Sequence, residues 1–230
     1  MKKRLWLMVP AALILAAAIY VLDYYPAVDV AMESEGARVY QTDYGWRFDG
    51  PSEDAALIFY PGAKVEATAY VPLMQKMAAA GLDACLVKMP LRLAIFDIGA
   101  ADRVMAAHDY PHWFIGGHSL GGAMAAEYAA KCPDRLDGLI LLAAYPAKPL
   151  PDHLKTVTIY GSEDGVLNMK KVAEGAKYMP ENHMEFVIQG GNHAQFGDYG
   201  EQKGDEKAAI SAQEQQHQAE ELILKNSLRG

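Results

Sequence analysis

The sequence predicts an α/β protein with a mostly parallel central sheet and helices on both faces. Two observations support this fold class. Short apolar segments recur along the chain, and stretches of helical composition separate them. Strands without polar alternation are buried on both faces, and helical crossovers between them give parallel pairing. The predicted strands cover residues 55–60, 84–88, 113–117, 139–143, 156–160 and 184–188.

Helices are expected between these strands, at residues 70–80, 98–108, 119–131, 166–178 and 208–225. Gly81 and the prolines at 133 and 180 supply the expected stop signals. Ahead of the first strand, residues 38–48 have strand-like composition around a turn at 43–45 and predict a hairpin. The interval from residue 144 to residue 155 is too short for a lid domain, so an open site is expected.

Composition excludes several classes of protein. The chain has 230 residues, 51% of them apolar and 22% charged, which suits one domain with a sizeable core plus at most an appendage. Its net charge of −8 argues against a nucleic-acid partner, because phosphate binding needs a basic surface. Cys85 and Cys132 are too few for a disulfide scaffold and lack zinc-ligand spacing. We expect free thiols, no metal and no cofactor.

The N-terminus predicts a membrane anchor. Basic residues 2–4 precede an uncharged run over 5–22, which is 18 residues long and about 27 Å as a helix. The rest of the chain should then lie on the extracytoplasmic side of the cell membrane. Cleavage after a small-residue site at Ala16 and Ala18, with secretion, is the alternative. The predicted organisation is an anchor at 1–22, a tether with N-terminal strands at 23–50 and a catalytic domain at 51–230.

Residues 117–121 read Gly-His-Ser-Leu-Gly and match the pattern G-x-S-x-G. An apolar strand precedes the motif and an alanine-rich helix follows it, which is the setting of a nucleophile elbow. The small residues permit a sharp turn that exposes the hydroxyl of Ser119. The motif therefore predicts Ser119 as a nucleophile.

A serine nucleophile needs a base and a group that orients the base. Asp164 follows the strand at 156–160 and stands 45 residues after Ser119, and His193 follows the last strand a further 29 residues on. The order serine, acid, histidine is the one expected of this strand arrangement. Glu163 remains an alternative to Asp164.

Backbone N–H groups must stabilise the oxyanion that forms on attack. Leu120 follows the nucleophile directly, and Ala63 lies in the loop after the first long strand, so these two residues are the predicted donors. Substrate contacts are expected from Lys64, which could attract an anionic group, and from Tyr145 and Phe196 as pocket walls.

Together these stretches resemble the small bacterial alpha/beta hydrolases of the fold-5 group, which are similar in build to dienelactone hydrolases. The resemblance implies the alpha/beta hydrolase fold, a Ser119–Asp164–His193 triad and hydrolase chemistry, but no particular substrate. Two departures are visible: Pro61-Gly62 replaces the His-Gly that opens the oxyanion loop in many relatives, and serine replaces the cysteine typical of dienelactone hydrolases. The matching stretches are 58–65, 87–90, 116–122, 142–146, 160–165 and 190–197.

The sequence therefore predicts a serine hydrolase, with carboxylesterase activity on small or medium acyl esters through an acyl-enzyme as the leading hypothesis. A thioesterase, a peptidase and an acyltransferase use the same chemistry and stay open. Two non-enzymatic alternatives are a surface binding module and an envelope protein that docks through the helix at 208–225. The expected partners are a small-molecule ester and, through residues 5–22, the membrane.

Overall fold

An eight-stranded sheet organises the described part of the chain. The computed structural model describes residue 20, residues 22–28, residue 32 and residues 36–227. The strands are β1 Arg38–Thr42, β2 Gly45–Asp49, β3 Ala55–Tyr60, β4 Asp83–Val87, β5 His112–His118, β6 Gly138–Leu142, β7 Lys155–Gly161 and β8 Met184–Ile188. They lie in the spatial order β1-β2-β4-β3-β5-β6-β7-β8. Strands β3 to β8 pair in parallel, which confirms the predicted mostly parallel sheet.

The predicted hairpin forms and joins this sheet. β1 pairs with β2 in antiparallel fashion, and β2 pairs with β4 in the same way. Residues 38–49, which the sequence assigned to the segment before the catalytic domain, are thus part of the domain's own sheet.

Helices cover both faces of the sheet. Within the described residues they are α1 Val71–Ala79, α2 Ala100–Ala107, α3 Leu120–Lys131, α4 Met169–Gly175 and α5 Ala212–Ser227. Successive side chains of a strand point to opposite faces. Leu57 and Phe59 of β3 accordingly pack in the core beneath α1 and α5, whereas Ile58 packs in the second core beneath α2 and α3.

Two helices begin at least three residues later than the sequence predicts. The N–H groups of Val166 and Leu167 donate to the carboxylate of Asp164, so α4 begins only at Met169 rather than at residue 166. The N–H groups of Ala209 and Ile210 donate to the Gly190 carbonyl, so α5 begins at Ala212 rather than at residue 208. A local turn closed by the Asp164 carboxylate sets the first boundary, and long-range hydrogen bonds to Gly190 set the second.

The first residues of the described chain lie against the carboxyl edge of the sheet. Tyr25 donates its N–H to the Lys64 carbonyl at 2.8 Å, and the Val28 N–H donates to the Asp198 carbonyl at 2.9 Å. We call residues 24–28 the N-terminal strap. The predicted anchor and the alternative cleavage site lie outside the described residues, except for residues 20 and 22. Among the helices that are described, none combines the length and the apolar character needed to cross a bilayer.

Candidate active site

Ser119 occupies a strained turn between β5 and α3. Its backbone angles are φ 53° and ψ −122°, a region that a residue with a side chain rarely adopts. The Ser119 N–H donates to the Leu142 carbonyl at 2.9 Å, and the Ser119 carbonyl accepts the Ala123 N–H at 3.0 Å. These bonds hold the turn from both sides. The side chain is half-buried at the carboxyl edge of the sheet, where a ligand can reach it.

The glycine at position 121 lets helix α3 approach strand β3 closely. A Cβ atom at Gly121 would lie 2.1 Å from the carbonyl oxygen of Tyr60 and 2.3 Å from that of Pro61. Both distances are far below van der Waals contact, and both neighbours are backbone atoms. The first turn of α3, including Leu120, is therefore seated directly on the chain that leads into the loop 61–64.

Two backbone donors stay unpaired at this junction. In the described part of the chain, the N–H groups of Ala63 and Leu120 have no hydrogen-bond acceptor. The residues flanking Ala63 are engaged, since Gly62 donates to the Tyr70 hydroxyl at 3.0 Å and Lys64 to the Arg92 carbonyl at 2.9 Å. An oxyanion hole uses two unpaired backbone N–H groups of this kind.

Asp164 and His193 form a buried pair. The Nδ1 atom of His193 lies 2.9 Å from Oδ2 and 3.1 Å from Oδ1 of Asp164. The side chain of His193 is only 1% exposed and that of Asp164 only 2%. Oδ1 also accepts the N–H groups of Val166 and Leu167, at 2.9 and 2.7 Å, which fixes the orientation of the carboxylate. The alternative acid, Glu163, instead accepts a hydrogen bond from the hydroxyl of Ser162.

The second ring nitrogen of His193 is available for proton transfer. The carboxylate engages Nδ1, so Nδ1 carries the proton in the neutral ring and Nε2 is the basic atom. This Nε2 is buried, and no hydrogen-bond partner is found for it among the described residues. Ser119 thus does not yet donate to it. Hydrogen bonds of catalytic groups are often open before substrate binds.

His118, the middle residue of the elbow motif, packs against His193. The ring centroids are 4.5 Å apart. The hydroxyl of Tyr70 accepts the Gly62 N–H and lies 2.7 Å from His118 Nδ1, so its own proton points to that nitrogen. Burial raises the pKa of Tyr70, which keeps this proton in place. Burial and the neighbouring His193 lower the pKa of His118 well below its usual value, so His118 is neutral.

The depressed pKa of His118 predicts a loss of stability in acid. The unfolded chain takes up a proton on His118 near pH 6.5, whereas the folded chain keeps this ring neutral. The resulting contribution to the free energy of unfolding is therefore complete above that pH and declines as the pH falls below it. Between pH 7 and pH 5, the free energy of unfolding should fall by more in the wild type than in His118→Gln. Urea unfolding at both pH values measures the difference, with exposed His217→Gln as the matched control. Equal pH dependence of the wild type and His118→Gln would contradict it.

Asp205 connects the loops that carry the acid and the base. Its Oδ1 accepts the N–H of Gly165 at 3.0 Å and that of His193 at 3.2 Å, and its Oδ2 accepts the N–H of Ala194 at 2.9 Å. The side chain of Gln215 in α5 adds support by bonding both the N–H and the carbonyl of Asn192. Asp205 therefore holds the backbone positions next to Asp164 and at His193 in one network.

The three residues predicted to contact substrate lie in different surroundings. Phe196 is fully buried and packs against the His118 ring, with 5.7 Å between centroids, so the prediction of a pocket wall is wrong. Lys64 forms an exposed ion pair with Asp23, and this carboxylate balances the positive charge expected to attract an anionic substrate. Tyr145 is half-buried and packs against the core beneath α5. No role in ligand binding follows from its contacts.

No metal site is evident in the described ranges, where no three His, Cys, Asp or Glu side chains are grouped to hold an ion. The two cysteines there are free thiols, with Cys85 buried in β4 and Cys132 half-buried after α3.

Comparisons with known proteins agree with this fold. The sequence profile described as "Alpha/beta hydrolase family" matches residues 56–217, more than half of the chain. Curated protein sequences give no match. Among solved structures, the fold is similar to a dienelactone hydrolase from Anabaena variabilis, with 16% identity and a TM-score of 0.59 over 84% of this chain and 100% of that one. It is also similar to Est1E from Butyrivibrio proteoclasticus, with 15% identity and a TM-score of 0.58 over 85% and 100%. The carboxylesterase CesB from Bacillus subtilis has 11% identity and a TM-score of 0.50 over 70% and 86%.

Proposed function

Because the chain belongs to the alpha/beta hydrolase family, we propose that it is a serine hydrolase using Ser119, His193 and Asp164. The observation that carries this proposal is the buried Asp164–His193 pair, whose free Nε2 lies at the same sheet edge as the strained Ser119. A carboxylate that fixes the tautomer of a histidine, with a serine at the same sheet edge, is the arrangement that activates a hydroxyl nucleophile.

The proposed reaction has two halves. Ser119 Oγ attacks the acyl carbon while its proton moves to His193 Nε2, and the N–H groups of Ala63 and Leu120 stabilise the oxyanion. The tetrahedral species collapses to an acyl-enzyme as His193 returns the proton to the leaving group. A water molecule then gives a proton to His193 as it attacks the acyl carbon. His193 returns this proton to Ser119 Oγ as the ester bond to the serine breaks, which releases the acid and restores Ser119. Asp164 stabilises the imidazolium in both halves.

We propose esters with small or medium acyl groups as the substrates. A cleft of about 410 Å³ lies beside the loop 61–64, here called the oxyanion loop. It is lined in part by Trp46, Pro61 and Met89, and its size suits small molecules. Only residues 143–154 separate β6 from β7, which leaves no room for a lid domain. The fold is also similar to that of a protein named carboxylesterase. Thioesters and amides react by the same route and are the comparison substrates.

For localisation we propose a single-pass protein of the cell membrane, anchored through residues 5–22, with the catalytic domain on the extracytoplasmic side. The support is the uncharged run of 18 residues behind a basic cluster. Cleavage of the same segment, with release of the domain, is the competing outcome. Detection of residues 1–22 in the mature protein by mass spectrometry decides between them.

A fluorophosphonate probe tests the proposed nucleophile. The full chain in mild detergent should gain one adduct, which peptide mass spectrometry places on Ser119. His193→Ala should react far more slowly, because the serine then lacks its base. Heat-denatured protein is the control for chemical labelling without an assembled site. Equal labelling of native and denatured protein, or no labelling of a well-folded sample, would overturn the proposal and favour a binding module on the same fold.

A further inference from the structure

The loop between β4 and α2 exposes large apolar side chains. Residues 88–96, here called the apolar loop, read Lys-Met-Pro-Leu-Arg-Leu-Ala-Ile-Phe. Leu91 is 52% exposed, Ile95 53% and Phe96 60%. Three such side chains within six residues form a concentrated apolar surface, which in a folded protein marks an interaction site.

The charges of the apolar loop differ from those of the chain as a whole. The chain carries a net charge of −8, yet residues 84–96 contain no acidic residue and include Lys88 and Arg92. Lys88 is exposed. Basic residues interleaved with exposed aliphatic and aromatic side chains are typical of segments that lie at a lipid interface, where the cations attract anionic headgroups.

The N-terminal strap reaches the same place. The Arg92 guanidinium lies over the ring of Tyr24, 3.5 Å from its centroid, and Lys64 pairs with Asp23. The uncharged run over 5–22 ends immediately before these residues. The segment proposed to enter the bilayer therefore leaves the domain directly beside the apolar loop.

We propose that the apolar loop docks on the phospholipid bilayer that holds residues 5–22. This inference rests on the membrane localisation given under Proposed function, and not on the hydrolase chemistry. The apolar side chains of Leu91, Ile95 and Phe96 enter the interfacial layer, and Lys88 contacts anionic headgroups. Because Lys64 donates its N–H to the Arg92 carbonyl, docking also turns the oxyanion loop, and with it the active site, towards the lipid surface.

Depth-resolved fluorescence tests the docking. The full chain carrying Cys132→Ser is reconstituted in vesicles of phosphatidylcholine and phosphatidylglycerol, with the environment-sensitive label NBD attached at Phe96→Cys. The matched control is Glu181→Cys, an exposed position before β8 at the opposite edge of the sheet. We expect the emission of the Phe96 label to rise severalfold, and lipids with a spin label near the headgroup to quench it. The Glu181 label should show neither effect.

A second label position and a charge variant guard against a local artefact. Ile95→Cys should respond in the same way as Phe96→Cys. Adding Ile95→Glu to the Phe96-labelled protein should lower the lipid quenching severalfold, because a carboxylate at the interface meets anionic headgroups and loses apolar burial. Turnover of a water-soluble ester should not change in this variant.

Three results would overturn the inference. Full exposure of the Phe96 label to aqueous iodide would show that the loop stays in water. Shielding from iodide without quenching by lipid would place a second copy of the chain or another protein on the loop. Failure of the full chain to sediment with vesicles would remove both the anchor and the docking. Ester turnover by the wild type against Ser119→Ala in the same vesicles reports the hydrolase separately, so the two proposals can fail independently.

Discussion

Replacing Ser119 with alanine is expected to lower kcat for ester hydrolysis by at least about 10⁴-fold, because the remaining site has no nucleophile positioned against its base. Alanine keeps the Cβ atom and removes only the hydroxyl. The hydrogen bonds that hold the turn, to Leu142 and from Ala123, involve only the backbone. The variant should therefore fold as the wild type does, and the loss should appear in kcat with little change in ligand affinity.

Steady-state hydrolysis of a chromogenic ester, with circular dichroism to verify the fold, measures this effect. Ser52→Ala is a matched control, since Ser52 precedes β3 at the far edge of the sheet. A Ser119→Ala protein that hydrolysed ester at close to the wild-type rate would exclude Ser119 as the nucleophile.

Replacing Asp164 with asparagine is expected to lower kcat by about 10⁴-fold through the wrong histidine tautomer. Oδ1 of Asp164 accepts two backbone N–H groups, from Val166 and Leu167. An asparagine must keep its oxygen at that position, so its NH₂ group faces His193 Nδ1. That nitrogen then accepts a hydrogen bond, and the ring proton moves to Nε2. The nitrogen meant to take the proton of Ser119 is thereby occupied.

The tautomer can be observed directly by ¹⁵N NMR of the imidazole, which distinguishes a protonated Nε2 from a protonated Nδ1. Glu163→Gln serves as the matched control: Glu163 bonds to the neighbouring Ser162 rather than to His193, and kcat should stay near the wild-type value. A larger loss in Glu163→Gln than in Asp164→Asn would transfer the role of the acid to Glu163.

The residues proposed for catalysis could be located from the sequence because each follows a strongly apolar strand. Ser119, Asp164 and His193 come directly after β5 or in the loops that follow β7 and β8, and parallel strands bring their carboxyl ends to one edge. Family membership confirms the predicted alpha/beta hydrolase resemblance. Chain order and strand position predict which residues come to this edge, although neither describes the distance between side chains.

Features that depend on distant partners were not accessible in this way. The late start of α5 depends on the carbonyl of Gly190 in a different loop, which no local pattern reveals. The late start of α4, by contrast, comes from a local turn at Asp164. Phe196 follows His193 closely, and from the sequence its side chain could equally face solvent or the core. In the structure it packs against the His118 ring. The role of His118 was overlooked, although a histidine enclosed by a buried strand and a glycine-rich turn must find a polar partner.

The network around Asp205 bears on how this enzyme could be redesigned. Here the carboxylate of Asp205 joins the backbone at Gly165 to the backbone at His193 and Ala194. If only one of these loops were replaced, the Asp205 carboxylate would lose its fitted hydrogen bonds to the backbone of that loop. Residues 164–167, 192–195 and the turn around Asp205 therefore form one unit of exchange, to be transplanted together or left in place.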